Sequence, residues 1–367
     1  MLRDTTAPIE AVEAAAFRIP TDAPESDGTF AWDHTTLVLA RVRAGGCEGI
    51  GYSYAAAASA ALVRESLASV LQGQDALATQ ALFIRMRQAV RNIGRRGVAG
   101  LAISAVDAAL WDLKGKLLDQ PVLHLLGGAA REAIPVYGSG GFTSYDDDQL
   151  ATQLAGWAVQ GIRRVKMKVG RHAADDPRRV QVARAAIGPD VELFVDANGA
   201  YTRKQALALA DRFALRDVRW FEEPVSSDDL DGLRLIRDRA PAGMDISAGE
   251  YGFDLLHFRG LLEHGAVDVL QADATRCGGL TGFMAAAALC QSHGLPLSSH
   301  CAPSLHVAAC CCAPTAVHME WFHDHARIER MLFDGAPQPE RGLLRPDRSR
   351  PGLGLEFKTQ DAKEYAL

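Results

Sequence analysis

No stretch of this chain is apolar for long enough to cross a bilayer, which takes about 20 consecutive apolar residues, so no transmembrane span is expected. No CxxC pair occurs among the seven cysteines, and zinc sites and redox motifs are usually built on such pairs. Three of them, Cys310, Cys311 and Cys312, are consecutive. Neighbours in sequence cannot converge on one ion, so these thiols are expected to be small buried apolar groups in a reducing compartment. A glycine-rich dinucleotide fingerprint is missing, which argues against a nucleotide-binding doubly wound sheet. Positive charge is not in excess: 39 Lys and Arg face 45 Asp and Glu, for a net charge of −6. Nothing in that balance draws the chain to nucleic acid or to an anionic membrane. An anionic substrate would need local neutralisation by a metal or by placed Lys and Arg. The opening MLRDTTAPIEAVEAAAF carries acids where a signal peptide has a basic start and an apolar run, and a cytoplasmic location is expected.

The chain has 367 residues, 48% hydrophobic and 23% charged, the balance of a globular protein. A (β/α)₈ barrel takes about 250 residues, which leaves room for a second domain. Residues 35–43, TTLVLARVR, read as a strand, and a second short strand lies at 47–52 after Gly45 and Gly46. Helical patterns then dominate. In 102–116, Ile103, Val106, Ala109, Leu110 and Leu113 repeat at helical spacing, with Asp107 and Asp112 off that stripe. Strands followed by helices predict an α+β domain, ending near LLGG at 125–128. Segment 20–33, PTDAPESDGTFAWD, is acidic and turn-rich and is expected to be a mobile loop over a site.

From Ile134 onward, short apolar runs alternate with amphipathic helical stretches. The runs are 134–139, 163–170, 191–198, 218–224, 244–250, 267–273 and 295–300, with helices such as 175–186, 203–213 and 230–239 between them. That alternation predicts a parallel sheet, and the number of units favours a barrel. The tail after Arg341, rich in Pro, Gly and Arg, is expected to pack back on the first domain.

The strand candidates end in polar residues: Lys166 and Lys168, Asp196 and Asn198, Glu222, Glu250, Asp273, and His300, at spacings of 23 to 28 residues. A barrel spends roughly 31 residues per unit, so successive strands would deliver these side chains to one rim, the C-terminal rim where barrel active sites lie. One strand-end acid is usually a helix cap. Three in register, beside two lysines and a histidine, are better explained by a cation. Hard carboxylate oxygens suit Mg²⁺, with positions left open for substrate.

The ordered motifs resemble the mandelate racemase branch of the enolase superfamily over essentially the whole chain. VKMKVG is similar to that family's Lys-x-Lys motif. VDAN, FEEP and AGE are similar to its three metal-ligand motifs, and DATRCGG followed by SSH to its Asp-His dyad. Met319, Glu320 and Trp321 resemble the stretch holding its last catalytic Glu, and ISAVDAALWDLKGK its signature helix before the barrel. The resemblance implies a modified (β/α)₇β TIM-like barrel with an α+β capping domain: residues 1–125 as cap, 126–335 as barrel, and 336–367 returning to the cap. It implies Mg²⁺ on Asp196, Glu222 and Glu250, with Glu223 beside them.

The implied reaction removes the proton next to a substrate carboxylate and passes through an enediolate, whose charge a divalent ion stabilises. The resemblance makes Lys168 the base, its pKa lowered by Lys166 and the metal, with Lys166 cationic beside the substrate. His300 faces it, oriented by Asp273, and a protonated Glu320 donates to the substrate carboxylate. Asn198, Tyr137 and Trp32 are candidate substrate contacts, as is Ser139. Asp rather than Lys at position 273 favours the racemase-like and acid-sugar-dehydratase branch. Dehydration of an acid sugar is the expected reaction, with racemisation or epimerisation of a 2-hydroxy acid, and a barrel that binds without catalysis, as alternatives. The expected partner is a small carboxylate, and a homo-oligomer of two to eight chains is expected. Arg276 departs from the family's usual Lys. His318, His323 and His325 are expected to form a hydrogen-bonded cluster near Glu320, with a second metal as the alternative, and His306 lies six residues past His300.

Overall fold

In the computed structural model, which describes residues 6–367, the barrel is closed. The first five residues of the expected cap lie outside the described residues. Three antiparallel strands, β1 (Ile9–Ser26), β2 (Ala31–Ala44) and β3 (Cys47–Tyr54), form a separate sheet in the order β1-β2-β3. Eight parallel strands follow: β4 (Ile134–Gly140), β5 (Arg164–Lys168), β6 (Glu192–Asp196), β7 (Val218–Glu222), β8 (Asp245–Ala248), β9 (Val269–Ala272), β10 (Leu297–Ser299) and β11 (Ala316–Phe322). Each pairs with the next, and β11 pairs with β4, which leaves the ring without an edge. Seven helices alternate with these eight strands, so the architecture is (β/α)₇β. They are α2 (Asp147–Val159), α3 (Asp176–Ile187), α4 (Arg203–Ala214), α5 (Leu230–Arg239), α6 (Leu255–Glu263), α7 (Gly279–His293) and α8 (Pro303–Cys312), numbered after α1 (Val98–Leu118) of the first region; α9 (His323–Leu332) follows β11.

Local sequence explains most of these boundaries. Asp146 and Thr202 close capping boxes at the starts of α2 and α4, each with a Gln three residues on. Asp254 accepts from the amides of Leu256 and His257 and starts α6. Helix α1 is buried on nearly every side, which accounts for its two interior acids. Asp112 accepts from the amides of Ile50 in β3 (2.8 Å) and Leu353 in the tail (2.7 Å). Asp107 accepts from the amide and hydroxyl of Thr281 in α7. Each buried carboxyl is therefore a joint between separate parts of the chain, as burial of a polar group requires. Gly49 and Gly51 let β3 lie directly on α1: a Cβ on either would come within 2.3 Å of a backbone carbonyl of that helix. The tail runs back over the first region. Gly352 pairs with Pro121, and the amide of Leu367 donates to the carbonyl of Ala16.

Segment 20–33 is not a loop. Its residues continue β1 and β2 as a long hairpin, and only 27–30 turn. Proline, aspartate and serine gave it a loop's composition, but β1 absorbs them in a register shift between Pro20, paired with His34, and Glu25, paired with Trp32. The hairpin end is tied to the segment after β4: Ser26 Oγ lies 2.6 Å from Thr143 Oγ1, Ser144 Oγ donates to the carbonyl of Pro24, and the amide of Thr143 donates to that of Ser26.

Candidate active site

The parallel register brings the strand-end residues together. Lys168 pairs with Asp196 and Asp196 with Glu222 across β5, β6 and β7, and each of the three closes its strand. Asp273 and His300 stand one residue past β9 and β10, Glu250 two past β8, and Glu320 within β11. All are buried, with Lys166, Asp196 and Glu222 at 0% exposure. Oxygens of Asp196, Glu222 and Glu250 lie within 4.8 Å of one another.

Lys166 Nζ lies 2.6 Å from Glu222, 2.8 Å from Glu320 and 3.5 Å from Asp196. Lys168 Nζ donates to Asp196 Oδ2 at 2.5 Å. His300 bonds Asp273 through Nδ1 at 2.8 Å, while its Nε2 lies 3.1 Å from Glu250 and 3.3 Å from the thiol of Cys301. Arg276 reaches the carbonyl of Glu250 at 3.1 Å and Asp273 at 3.6 Å, and covers the ring of Tyr251. It therefore holds the two acids that flank His300.

The donors fit a divalent cation. Six acids meet here (Asp196, Glu222, Glu223, Glu250, Asp273 and Glu320) against four bases (Lys166, Lys168, Arg276 and His300). Counted as ionised, they fall two positive charges short of neutrality. Two buried oxygens of the rim, Asn198 Oδ1 and Glu223 Oε1, make no hydrogen bond, and buried acceptors seldom go unpaired without a reason. Asn198, Glu223, Cys301 and Ala302 also hold positive φ angles of 38° to 51°, a costly backbone state for residues with a Cβ that clusters at functional sites.

In the metal-free protein the charges of Lys168 and Glu320 differ from those expected of the metal-bound site. Burial disfavours the charged form of Lys168, but Asp196 outweighs it and the pKa is raised, not lowered. Burial favours a protonated Glu320, but Lys166 and His300 outweigh that and hold its carboxyl far below the usual range, so it is an anion. Glu222 and Glu223 are the groups that stay protonated: burial and Asp196 push Glu222 up to about 8, and burial and Glu250 hold Glu223 well above the usual carboxylate range. Lys166 thus has its counter-ion in Glu320. Asp273 is lowered to about 2, because its bond to His300 overcomes burial. His300 is raised despite burial, by the acids around it.

A cavity of about 260 Å³ opens on Lys168, Asn198, Glu250 and His300, with Trp32, Phe30 and Phe322 opposite. Trp32 therefore reaches the site. Tyr137 does not: it lies mid-strand and fully buried, below Lys166, whose Nζ sits 5.3 Å from the ring centroid. Ser139 is likewise buried and absent from the cavity wall. Tyr137, Phe194, Trp220 and Val269 form a packed layer under the acids. A larger cavity, about 640 Å³, lies on the far side of that layer at the opposite barrel mouth and touches none of the acids.

The three histidines do not cluster. His318 joins the layer beside Tyr137 and Trp220, His325 stacks on Tyr54, and His323 meets Asp22. His306 is structural and accepts from the amide of Ala274 at 2.8 Å. The sequence reading missed Cys301, Tyr251, Phe322 and His325 in the wall. Each lies within five residues of a motif residue, so proximity to the motifs was the available signal.

A closed barrel with a lysine pair, three acids and an Asp-His dyad at its C-terminal rim defines an enzyme that handles carbanion character beside a carboxylate. Two family models cover the chain: the mandelate racemase and muconate lactonizing enzyme N-terminal domain over residues 12–127, and the enolase C-terminal domain-like model over 149–362. The chain belongs to the mandelate racemase branch of the enolase superfamily. It is 31% identical to a D-galactarolactone cycloisomerase of Agrobacterium fabrum, across 94% of this chain and 95% of that protein. It is also 31% identical to an arabinonate dehydratase of Saccharolobus solfataricus, across 87% of each. Among solved structures, a mandelate racemase/muconate lactonizing enzyme-like protein from Rubrobacter xylanophilus matches at TM-score 0.96 and 53% identity, over 98% of this chain and all of that one. A racemase from Streptomyces coelicolor with bound magnesium matches at TM-score 0.92 and 32% identity, with the same coverage. The chain is accordingly an enzyme, a lyase or a racemase, and its cofactor is Mg²⁺.

Proposed function

We propose that this enzyme dehydrates an acid sugar, with Asp196, Glu222 and Glu250 holding Mg²⁺ and with Lys168 and His300 moving protons on opposite faces of the substrate. The observation that carries the reading is the convergence of three buried carboxyls, Asp196, Glu222 and Glu250, within 4.8 Å of one another, together with Lys168 and His300 opening on one cavity. When bound, the ion supplies positive charge to the substrate carboxylate as the α-proton leaves. The chain's own groups do the rest. Lys166, buried, charged against Glu320 and outside the cavity wall of the metal-free protein, would bind the substrate carboxylate and fix its position once the acids around it rearrange. Lys168 Nζ takes the α-proton; Asp196, which it contacts in the metal-free protein, would be engaged by a bound ion, and loss of that contact beside a cation would lower the lysine's pKa. His300, charged and held by Asp273 through Nδ1, presents Nε2 to the β-hydroxyl and protonates it as it departs. Asn198 and Trp32 line the cavity and contact the substrate.

Racemisation or epimerisation is a second reading, favoured by the same pair of facing bases: return of a proton from His300 to the α-carbon would invert it. The proposed division of labour along the chain is a cap from residues 1–125 that covers the cavity, a barrel from 126–335 that carries the chemistry, and a tail from 336–367 that locks the two together. A screen of acid sugars and 2-hydroxy acids with Mg²⁺ in D₂O tests the reading. An α-keto product with deuterium at the β-carbon identifies dehydration, and α-deuterium in the epimer of inverted configuration identifies racemisation or epimerisation. Absence of both across the panel refutes the proposal.

A further inference from the structure

The joint between hairpin and barrel holds a second group of potential ligands, away from the rim acids. Asp22 lies in the irregular stretch of β1 between Pro20 and Glu25, Glu25 ends that stretch, and His323 opens α9. One oxygen of each carboxylate and a ring nitrogen of His323 lie within 4.8 Å of one another. His323 Nε2 stands 2.9 and 3.1 Å from the two oxygens of Asp22. Three ligands at metal distances of about 2.0–2.2 Å stand roughly 3–4 Å apart, so small rotations close this group on an ion.

Glu25 is the residue that points to a ligand. It is 1% exposed. Its Oε2 accepts from Trp32 Nε1 at 2.7 Å, but its Oε1 has no hydrogen-bond partner, and among the described residues it joins no ion pair. The neighbouring charges are already committed: Asp324 accepts from Thr35 and Arg327, and Arg327 also donates to the carbonyl of Pro20. A buried carboxyl with a free oxygen, beside a second acid and an imidazole, is an available ligand for a cation. A cavity of about 240 Å³ reaches Asp22 and His323 and gives an ion and its waters a way in.

We propose that Asp22, Glu25 and His323 form a second metal site that takes a transition ion such as Zn²⁺ or Mn²⁺. One imidazole and two carboxylates suit such ions, whereas Mg²⁺ favours oxygen ligands alone. The ion ties the hairpin to the end of β11, and through the Glu25–Trp32 bond it fixes the indole that faces the substrate cavity. Its ligands are none of the groups assigned to the proposed reaction.

The test is titration of the full-length protein, saturated with Mg²⁺, with Zn²⁺ by calorimetry, while tryptophan emission is followed. One equivalent of Zn²⁺ should bind and change the emission, and the change should vanish in Trp32→Phe. Glu25→Gln and His323→Ala should each weaken this binding by roughly 100-fold or more, since loss of even a partner outside the ligand set costs roughly 10- to 100-fold, and Asp196→Asn should leave it in place. Thermal melts separate unfolded variants from folded ones, and Asp22→Asn, at the more exposed ligand, serves if either fails to fold. The site is overturned if no Zn²⁺ binds beside Mg²⁺, or if the binding survives every ligand substitution and disappears in Asp196→Asn.

Discussion

Replacing Glu222 with Gln should make the metal-free protein more stable while abolishing its response to Mg²⁺. Two effects compete at this carboxyl. Lys166, 2.6 Å away, favours the anion. Burial and Asp196 oppose it and prevail, with the pKa pushed from 4.5 up to about 8. A raised acid adds stability in full below pH 4.5, and that stability is lost as pH rises through 8, because the unfolded chain ionises first. At pH 7 the loss is about 3 kcal/mol, from 1.36 kcal/mol per pH unit over the interval above 4.5. Gln cannot ionise in either state and escapes it. In EDTA at pH 7 the variant should therefore unfold about 3 kcal/mol harder than the parent, a rise of roughly 5 °C for a chain of this size. The gap should close near pH 4 and reach about 5 kcal/mol by pH 9. With Mg²⁺ at 100 times its Kd the parent should gain about 2.7 kcal/mol and the variant nothing. Equilibrium denaturation at several pH values, with Mg²⁺ and with EDTA, reads all of this. A variant less stable than its parent in EDTA at pH 7 would refute the reasoning, since the Lys166 pair would then outweigh burial.

Lys168→Ala and His300→Asn should each remove turnover or exchange of one stereochemical sense in D₂O, followed by NMR; full turnover of a chiral substrate by both variants would exclude a two-face mechanism. Asp273→Asn should lower kcat by roughly 100- to 10,000-fold, because His300 loses the partner that sets its tautomer and charge, and the pH at which His300 titrates should fall when the pH–rate profile is measured. Trp32→Ala should raise KM more than it lowers kcat in steady-state assays, since the indole lines the cavity wall opposite Lys168 and Glu250.

The site was more legible than the elements that carry it. Strand-end residues repeat at the period of a βα unit, and a parallel barrel places every strand end at one rim, so spacing alone assembled Lys168, Asp196, Glu222, Glu250, Asp273 and His300. Helix 230–239 matches Leu230–Arg239 in the structure, because its apolar face is sharply periodic. The eighth barrel strand, AVHMEWF, was visible only as a motif. His318 and Glu320 interrupt its apolar run because both point into the barrel, where polar partners wait. Strand β1 was hidden by its acids and prolines, whose satisfaction depends on residues more than 100 positions away: Ser144 donates to the carbonyl of Pro24, and His323 meets Asp22. The protonation states were illegible for a related reason. Whether Glu222 or Glu320 keeps the proton depends on distances to Lys166, Asp196 and His300 that spacing does not fix.

The aromatic layer beneath the acids makes the barrel a vessel with one opening. Tyr137, Phe194, Trp220 and Val269 separate Lys166 and its acids from the solvent in the opposite mouth. Protons and water must then enter and leave by the hairpin side alone. An isotope label taken up by the buried bases has a single route of arrival, and closure of that route by substrate would trap it for the length of the turnover. Trp220→Ala would open a second door through the floor, and the protons held by Lys166 and its acids would then exchange with bulk water even while substrate occupies the cavity.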